Sequence, residues 1–181
     1  MAAEKTEPKK SRLFFALWPD PEVLKALNHT RKTLGVNEGK PVNPEKYHVT
    51  LLFLGEIPED QIPALKSLAE KAPFEPCELV LDQMEHWVRP AVLCLVATQT
   101  PPALDNLVEA MKRELRKMGI KTEKRPFRPH LTLARKVRKR VVGRPVEPIH
   151  WPIHDFVLVA SELNREGSRY RILGRWPETA Q

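Results

Sequence analysis

Tyr47-His48-Val49-Thr50-Leu51-Leu52-Phe53-Leu54-Gly55 is the stretch whose reading decides the fold. It is short, dense in branched and aromatic residues and closed by a glycine, which is the pattern of a strand. Residues i and i+2 of a strand share a face, so His48 and Thr50 point one way while Val49 and Leu51 point the other. A second stretch, Phe127-Arg128-Pro129-His130-Leu131-Thr132-Leu133-Ala134, repeats the arrangement with His130 and Thr132. The chain has six histidines, His29, His48, His86, His130, His150 and His154, and only His48 and His130 have Thr two residues on and Leu three on. Two copies of one strand element suggest two similar halves facing each other across a cleft.

Working outward, Arg12 to Trp18 reads as a strand. Asp20 caps a helix with Pro21 at its first position and Val23, Leu24, Leu27 and Leu34 at helical spacing. A helix is expected from about Pro58 to Lys71, then strands at Cys77 to Trp87 and Ala91 to Thr98 around a turn at Arg89-Pro90. Thr100-Pro101 opens the clearest helix, where Leu104, Leu107, Val108, Met111, Leu115 and Met118 recur at three and four residues before Gly119. Phe127 to Ala134, Ile153 to Leu163 and Ser168 to Trp176 complete the strands, the last two joined by a turn at residues 164–167. The order β-α-β-α-β-β-α-β-β-β, with hairpins as well as crossovers, favours an α+β fold with antiparallel pairing over a doubly wound sheet. Residues 1–11 are polar and read as a disordered tail, leaving one domain over 12–181.

Composition narrows the function. The chain has 181 residues, 41% of them hydrophobic, enough for one core. No apolar run approaches the roughly 20 residues of a membrane span, and Leu13 to Trp18 is too short for a signal peptide, so a cytoplasmic protein is expected. Cys77 and Cys94 sit in apolar stretches and read as reduced core thiols. The net charge is +7, yet the window from Lys121 to Arg144 alone holds ten basic residues and one acid, Glu123. Such a patch either draws in a polyanion such as RNA or is a solvated loop. There is no glycine-rich nucleotide loop, and no nucleotide cofactor is implied.

Each motif places an imidazole beside a hydroxyl. Displacement at phosphorus needs a base on the attacking side and an acid on the leaving side, and histidine can hold either role near neutral pH. Threonine hydroxyls can donate to the non-bridging oxygens where charge builds up. A lone strand histidine would be read as structural, but the duplication turns that reading around. Zinc would need further ligands, and no Cys or carboxylate stands at ligand spacing. A serine hydrolase would need a nucleophile elbow, which is absent.

On these motifs the chain resembles the two-histidine phosphoesterase superfamily, and within it the RNA 2',3'-cyclic phosphodiesterases, also called 2'-5' RNA ligases. The resemblance runs from Arg12 to Pro177. It rests on residues 12–17, on 48–55, on Arg125 to Arg135, and on the closing Ser168-Arg169-Tyr170-Arg171 and Arg175-Trp176. It implies two pseudo-symmetric lobes of antiparallel sheet with helices packed outside and an active-site groove between them. It also implies metal-independent, cofactor-free hydrolysis of a terminal 2',3'-cyclic phosphate to a 2'-phosphate. His48, Thr50, His130 and Thr132 become the catalytic set, with His48 as acid and His130 as base by analogy, and Arg135 the phosphate-binding arginine. The partner implied is RNA ending in a 2',3'-cyclic phosphate, with no membrane, and a monomer is expected. Two other activities stay open: ligation through a 2'-5' bond with a 5'-hydroxyl replacing water, and a non-catalytic RNA- or nucleotide-binding module. Phe14, Phe127 and Trp87 are candidates for stacking on a base. His86, His150 and His154 read as structural or surface groups and His29 as solvated. Beyond Arg135, residues from Lys136 to Arg144 show no regular pattern and are expected to form a loop whose Arg138, Lys139 and Arg140 meet longer RNA.

Overall fold

The computed structural model describes residues 8–165 and 167–178. Its elements are β1 (Lys10–Leu17), α1 (Pro21–Leu34), β2 (Lys40–Pro41), β3 (Val49–Pro58), α2 (Ile62–Glu70), β4 (Cys77–Trp87), β5 (Val92–Val96), α3 (Pro102–Lys117), β6 (His130–Arg135), β7 (Arg144–Ile153), β8 (Phe156–Asn164) and β9 (Gly167–Trp176). Short 3-10 turns at Pro44–Lys46 and Glu59–Gln61 precede β3 and α2. Helix α1 starts where its capping residues dictate. Asp20 accepts from the Val23 amide at 2.8 Å, and Gly35 closes the helix in the left-handed region at φ 61°. In α3, Leu104, Leu107, Val108, Met111 and Leu115 are all buried, as their spacing requires.

The strands form one antiparallel sheet in the order β7-β4-β5-β6-β3-β1-β8-β9, with β2 added against β6. All three helices pack on one face, where a single core cluster joins Leu27 of α1, Leu65 of α2 and Leu107 of α3 to Leu13, Phe15 and Leu17 of β1. The two lobes are β3-β1-β8-β9 and β6-β5-β4-β7, joined through one residue pair, Val49↔Leu131. That pair directly follows the two motif histidines. The lobe β6-β5-β4-β7 is built from one continuous stretch of chain, whereas β3-β1-β8-β9 draws its strands from both ends of it. β4 crosses over to pair with β5 and β7, while β8 and β9 return to flank β1. The duplication therefore shows in the sheet order about its centre and not in a simple division of the chain.

Three expectations change. The first strand begins at Lys10, so Lys10 and Ser11, read as tail, pair with Pro58 and Ile57; residues 1–7 lie outside the described residues. The motif strands also shift: β3 begins at Val49, so His48 stands just before it, and runs through Gly55 to Pro58, while β6 begins at His130, later than the expected Phe127. The segment from Arg144 is not loop. It forms β7, with Ile149, Trp151 and Ile153 alternating inward. Its Pro145, Pro148 and Pro152 hid it, but β7 is an outermost strand, where a missing amide costs no ladder bond. No helix among the described residues is long and apolar enough to cross a membrane.

Candidate active site

The motif strands β3 and β6 lie side by side at the centre of the sheet, on the face away from the helices. There His48, Thr50, His130, Thr132 and Arg135 line one groove of about 1260 Å3. The two histidines are held alike. His48 Nδ1 lies 2.7 Å from the Lys46 carbonyl, and His130 Nδ1 lies 2.9 Å from the Arg128 carbonyl. A carbonyl only accepts, so each Nδ1 carries the proton and donates it, leaving Nε2 as the ring nitrogen open to a ligand. Both partners stand two residues before their histidine, so the motif carries its own orienting group.

Both threonines are half-buried. The Thr50 hydroxyl makes no hydrogen bond within the described residues, and Thr132 has only Cys94 Sγ at 4.0 Å. Burial pushes that Cys94 thiol up to about 11, so it stays protonated. Cys94 is the mate of Thr132 in the β5–β6 ladder, as Ala16 is the mate of Thr50 in the β1–β3 ladder, so the two halves match residue for residue here.

A bulge explains Arg135. Strict alternation from His130 would turn the fifth residue on to the helix face. In the β5–β6 ladder Leu93 pairs with Ala134 and Cys94 with Thr132, so β6 carries one extra residue. Leu133 and Ala134 are both buried in the core, and Arg135 returns to the groove. β3 has the same bulge, since Phe15 pairs with Leu52 and Ala16 with Thr50. Leu51 and Leu52 are both in the core there, and Phe53, the counterpart of Arg135, is exposed beneath the Arg12 guanidinium.

The surroundings of the two imidazoles differ. His48 is caged by Trp18, stacked at 5.4 Å between centroids and 5°, by Phe14 at 5.0 Å and by the edge of Tyr170 at 5.4 Å. Trp87, tilted, packs on His130 at 4.6 Å. Burial drives the His48 imidazole down from its ordinary 6.5 to about 4; the Lys46 carbonyl opposes this, and the positive fields of Arg135 and His130 reinforce it. His130 is also lowered, first by burial, with its own carbonyl bond and Glu123 opposing and Arg128 and Arg135 reinforcing. Both imidazoles are therefore neutral at neutral pH.

Of the aromatic candidates, Trp87 and Phe127 line the groove and Phe14 does not. Phe14 is only 4% exposed and lies behind His48, where a base cannot reach it. Four groups went unnoticed in the sequence as parts of this site: Trp18, Tyr170, Glu85 and Arg128. Glu85 accepts from Trp87 Nε1 at 2.7 Å and from Arg128 at 2.6 Å, bracing both neighbours of His130. Trp18 was within reach of the period-two pattern, since Phe14, Ala16 and Trp18 share a face of the first strand. Tyr170 reaches His48 only because β9 pairs with β8 and β8 with β1, which no local pattern signals.

Among the other histidines, His29, His150 and His154 are exposed, and His150 faces Glu78 at 3.1 Å. His86 is structural and bridges two backbone groups of the segment after β6. No three His, Cys, Asp or Glu side chains among the described residues are grouped to hold a metal ion.

The sequence model of the LigT like phosphoesterase family matches residues 17–93 and 95–170, two stretches that each contain one His-x-Thr motif. The chain is 34% identical over 177 residues to the RNA 2',3'-cyclic phosphodiesterase of Escherichia coli (strain K12), covering 96% of this chain and 99% of that protein. It is 32% identical to the protein of the same name from Thermus thermophilus, covering 91% and 89%. The crystal structure of E. coli LigT complexed with 3'-AMP superposes with a TM-score of 0.85 at 32% identity, over 92% of this chain and 97% of that one.

Proposed function

The chain belongs to the LigT like phosphoesterase family, and from that footing we propose that it hydrolyses the terminal 2',3'-cyclic phosphate of RNA to a 2'-phosphate. The observation that carries this reading is the mirrored pair of histidines, each with Nδ1 tied to a backbone carbonyl and Nε2 left to the groove. One imidazole takes a proton from water as the water oxygen bonds to phosphorus. The other gives a proton to the 3'-oxygen as the P–O3' bond breaks, so the product keeps the phosphate on the 2'-oxygen and gains a 3'-hydroxyl. Thr50, Thr132 and Arg135 donate to the non-bridging oxygens of the pentavalent intermediate. The family resemblance casts His48 as the acid and His130 as the base. Because burial holds the His48 imidazole at about 4, this assignment needs the bound phosphate anion to draw a proton on to it.

The test uses a mononucleoside 2',3'-cyclic phosphate in excess EDTA. Turnover at the rate seen without chelator is the expected result. Loss in EDTA with recovery on adding zinc or manganese would overturn the mechanism. Adding an RNA with a 5'-hydroxyl in the same assay separates hydrolysis from ligation, since a ligase would return a longer 2'-5' linked product.

The pH dependence has a definite sign. Turnover needs one histidine protonated and one neutral, and in the free protein both lie below 6.5, His48 at about 4. The kcat/KM profile should therefore be a bell with its maximum below pH 6.5, falling on its alkaline side as the last proton leaves the pair. The anionic substrate favours the charged imidazoles, so the kcat profile should sit at higher pH than the kcat/KM profile. Coincident profiles centred at or above pH 7 would contradict the desolvated pair.

A further inference from the structure

We propose that residues 136–141 form a prearranged docking arm for the RNA backbone preceding the terminal nucleotide, clamped in place by His86. This rests on the proposed function, because it takes the groove as the seat of the RNA end.

The segment presents four exposed cations, Lys136, Arg138, Lys139 and Arg140, yet its backbone is fixed. The Val137 amide donates to the Ala91 carbonyl at 2.9 Å, and the Val137 side chain is 1% exposed in the core. His86 closes the segment from beneath. Its Nε2 donates to the Val137 carbonyl at 3.0 Å, and its Nδ1 accepts the Val141 amide at 3.1 Å. A neutral imidazole with its proton on Nε2 satisfies both bonds at once, so one side chain staples the two ends of the segment. Gly39 completes the seat. A Cβ there would fall 2.5 Å from the Arg135 carbonyl oxygen and 2.7 Å from Val137 Cγ2, so only glycine lets the chain entering β2 lie so close.

Between the clamped ends, Arg138, Lys139 and Arg140 are exposed. Lys139 reaches Glu38 at 3.7 Å; Arg138 and Arg140 have no ion-pair partner among the described residues. Holding three adjacent cations in one place adds self-repulsion and buries nothing, so the fold itself gains little from them. A polyanion gains, because ordering the arm beforehand removes entropy that binding would otherwise cost. The arm is continuous with the groove. Lys136 and Arg135 line the groove, as do Lys40 and Arg89 at the same end. The terminal phosphate occupies the groove, and the preceding phosphates leave over this lip on to Arg138, Lys139 and Arg140.

The test measures binding of a fluorescently labelled single-stranded RNA decanucleotide ending in a 2'-phosphate, by anisotropy, alongside turnover of a mononucleoside 2',3'-cyclic phosphate. Arg138→Ala, Lys139→Ala and Arg140→Ala together should weaken decanucleotide binding by about tenfold or more at low salt. They should also flatten the plot of log affinity against log salt by about 2, at roughly 0.7 for each lost contact to a single strand. Mononucleotide turnover should stay within about twofold, since all three residues lie outside the groove. His86→Ala should weaken the decanucleotide severalfold with an unchanged salt slope, because the charges remain and only their order is lost. His86→Gln, whose amide can both donate and accept, should recover part of the binding. Wild-type affinity and slope in the triple variant would overturn the proposal, as would equal losses on both substrates. So would unchanged RNA binding with lost binding to phosphatidylserine vesicles. A wild-type protein that leaves the mononucleotide intact would count against the proposed function, while the anisotropy titration would still decide the arm.

Discussion

His48→Ala and His130→Ala are each expected to cut turnover of a mononucleoside 2',3'-cyclic phosphate by about a hundredfold or more, the usual loss when a general acid or base is removed. The double variant should be little worse than either single one, because both groups act in one displacement and its rate collapses when either is gone. The two substitutions should differ in their structural side effects. His48 fills a cage made by Phe14, Trp18 and Tyr170, so its removal leaves a gap among packed rings and should lower the melting temperature. His130 packs on Trp87, so its alanine variant should melt close to the wild type while being as inactive. A melt recorded beside each rate separates lost chemistry from lost folding. Near-wild-type turnover in either single variant would remove the paired-histidine mechanism.

Arg135→Ala should show the second large effect, about a hundredfold to a thousandfold in kcat, the scale of losing one donor to the developing phosphorane charge. It should also leave a signature that a purely structural role would not. Arg135 lowers the proton affinity of both histidines. Its removal should therefore shift the kcat/KM profile to higher pH as well as lowering it. Arg135→Lys returns the charge without the planar fork, so it should restore the pH profile more fully than the rate. An alanine variant with an unmoved profile would mean that the guanidinium does not reach the histidines.

The grouping of His48, Thr50, His130 and Thr132 in one groove was legible because its signal is local. A histidine and a threonine two residues apart on a strand share a face whatever the rest of the chain does, and the flanking Val49, Leu51, Leu131 and Leu133 are all buried as alternation requires. The capping of α1 by Asp20 and the apolar stripe of α3 were readable for the same reason. What escaped depends on register and on pairing between distant strands. The bulges after Thr50 and Thr132 change which face the chain presents, and they follow from pairing with β1 and β5. Phe14 seemed available to a base because it is aromatic and shares the motif face, but the strands around it bring His48, Trp18 and Tyr170 over it. β7 was lost to its prolines, which an edge strand tolerates and a sequence pattern penalises. The basic run was visible as charge, whereas its clamp by His86, 51 residues before Val137, was not.

The central claim is that two histidines direct water to one face of the terminal phosphorus and expel the 3'-oxygen without a metal. It is tested most directly by hydrolysing a 2',3'-cyclic-phosphate RNA in oxygen-18 water with excess EDTA and following the product by phosphorus NMR. The predicted result is a single 2'-phosphomonoester carrying one heavy oxygen, formed at the rate seen without chelator. A 3'-phosphate, a mixture of the two isomers, or no product until a metal ion is restored would contradict it.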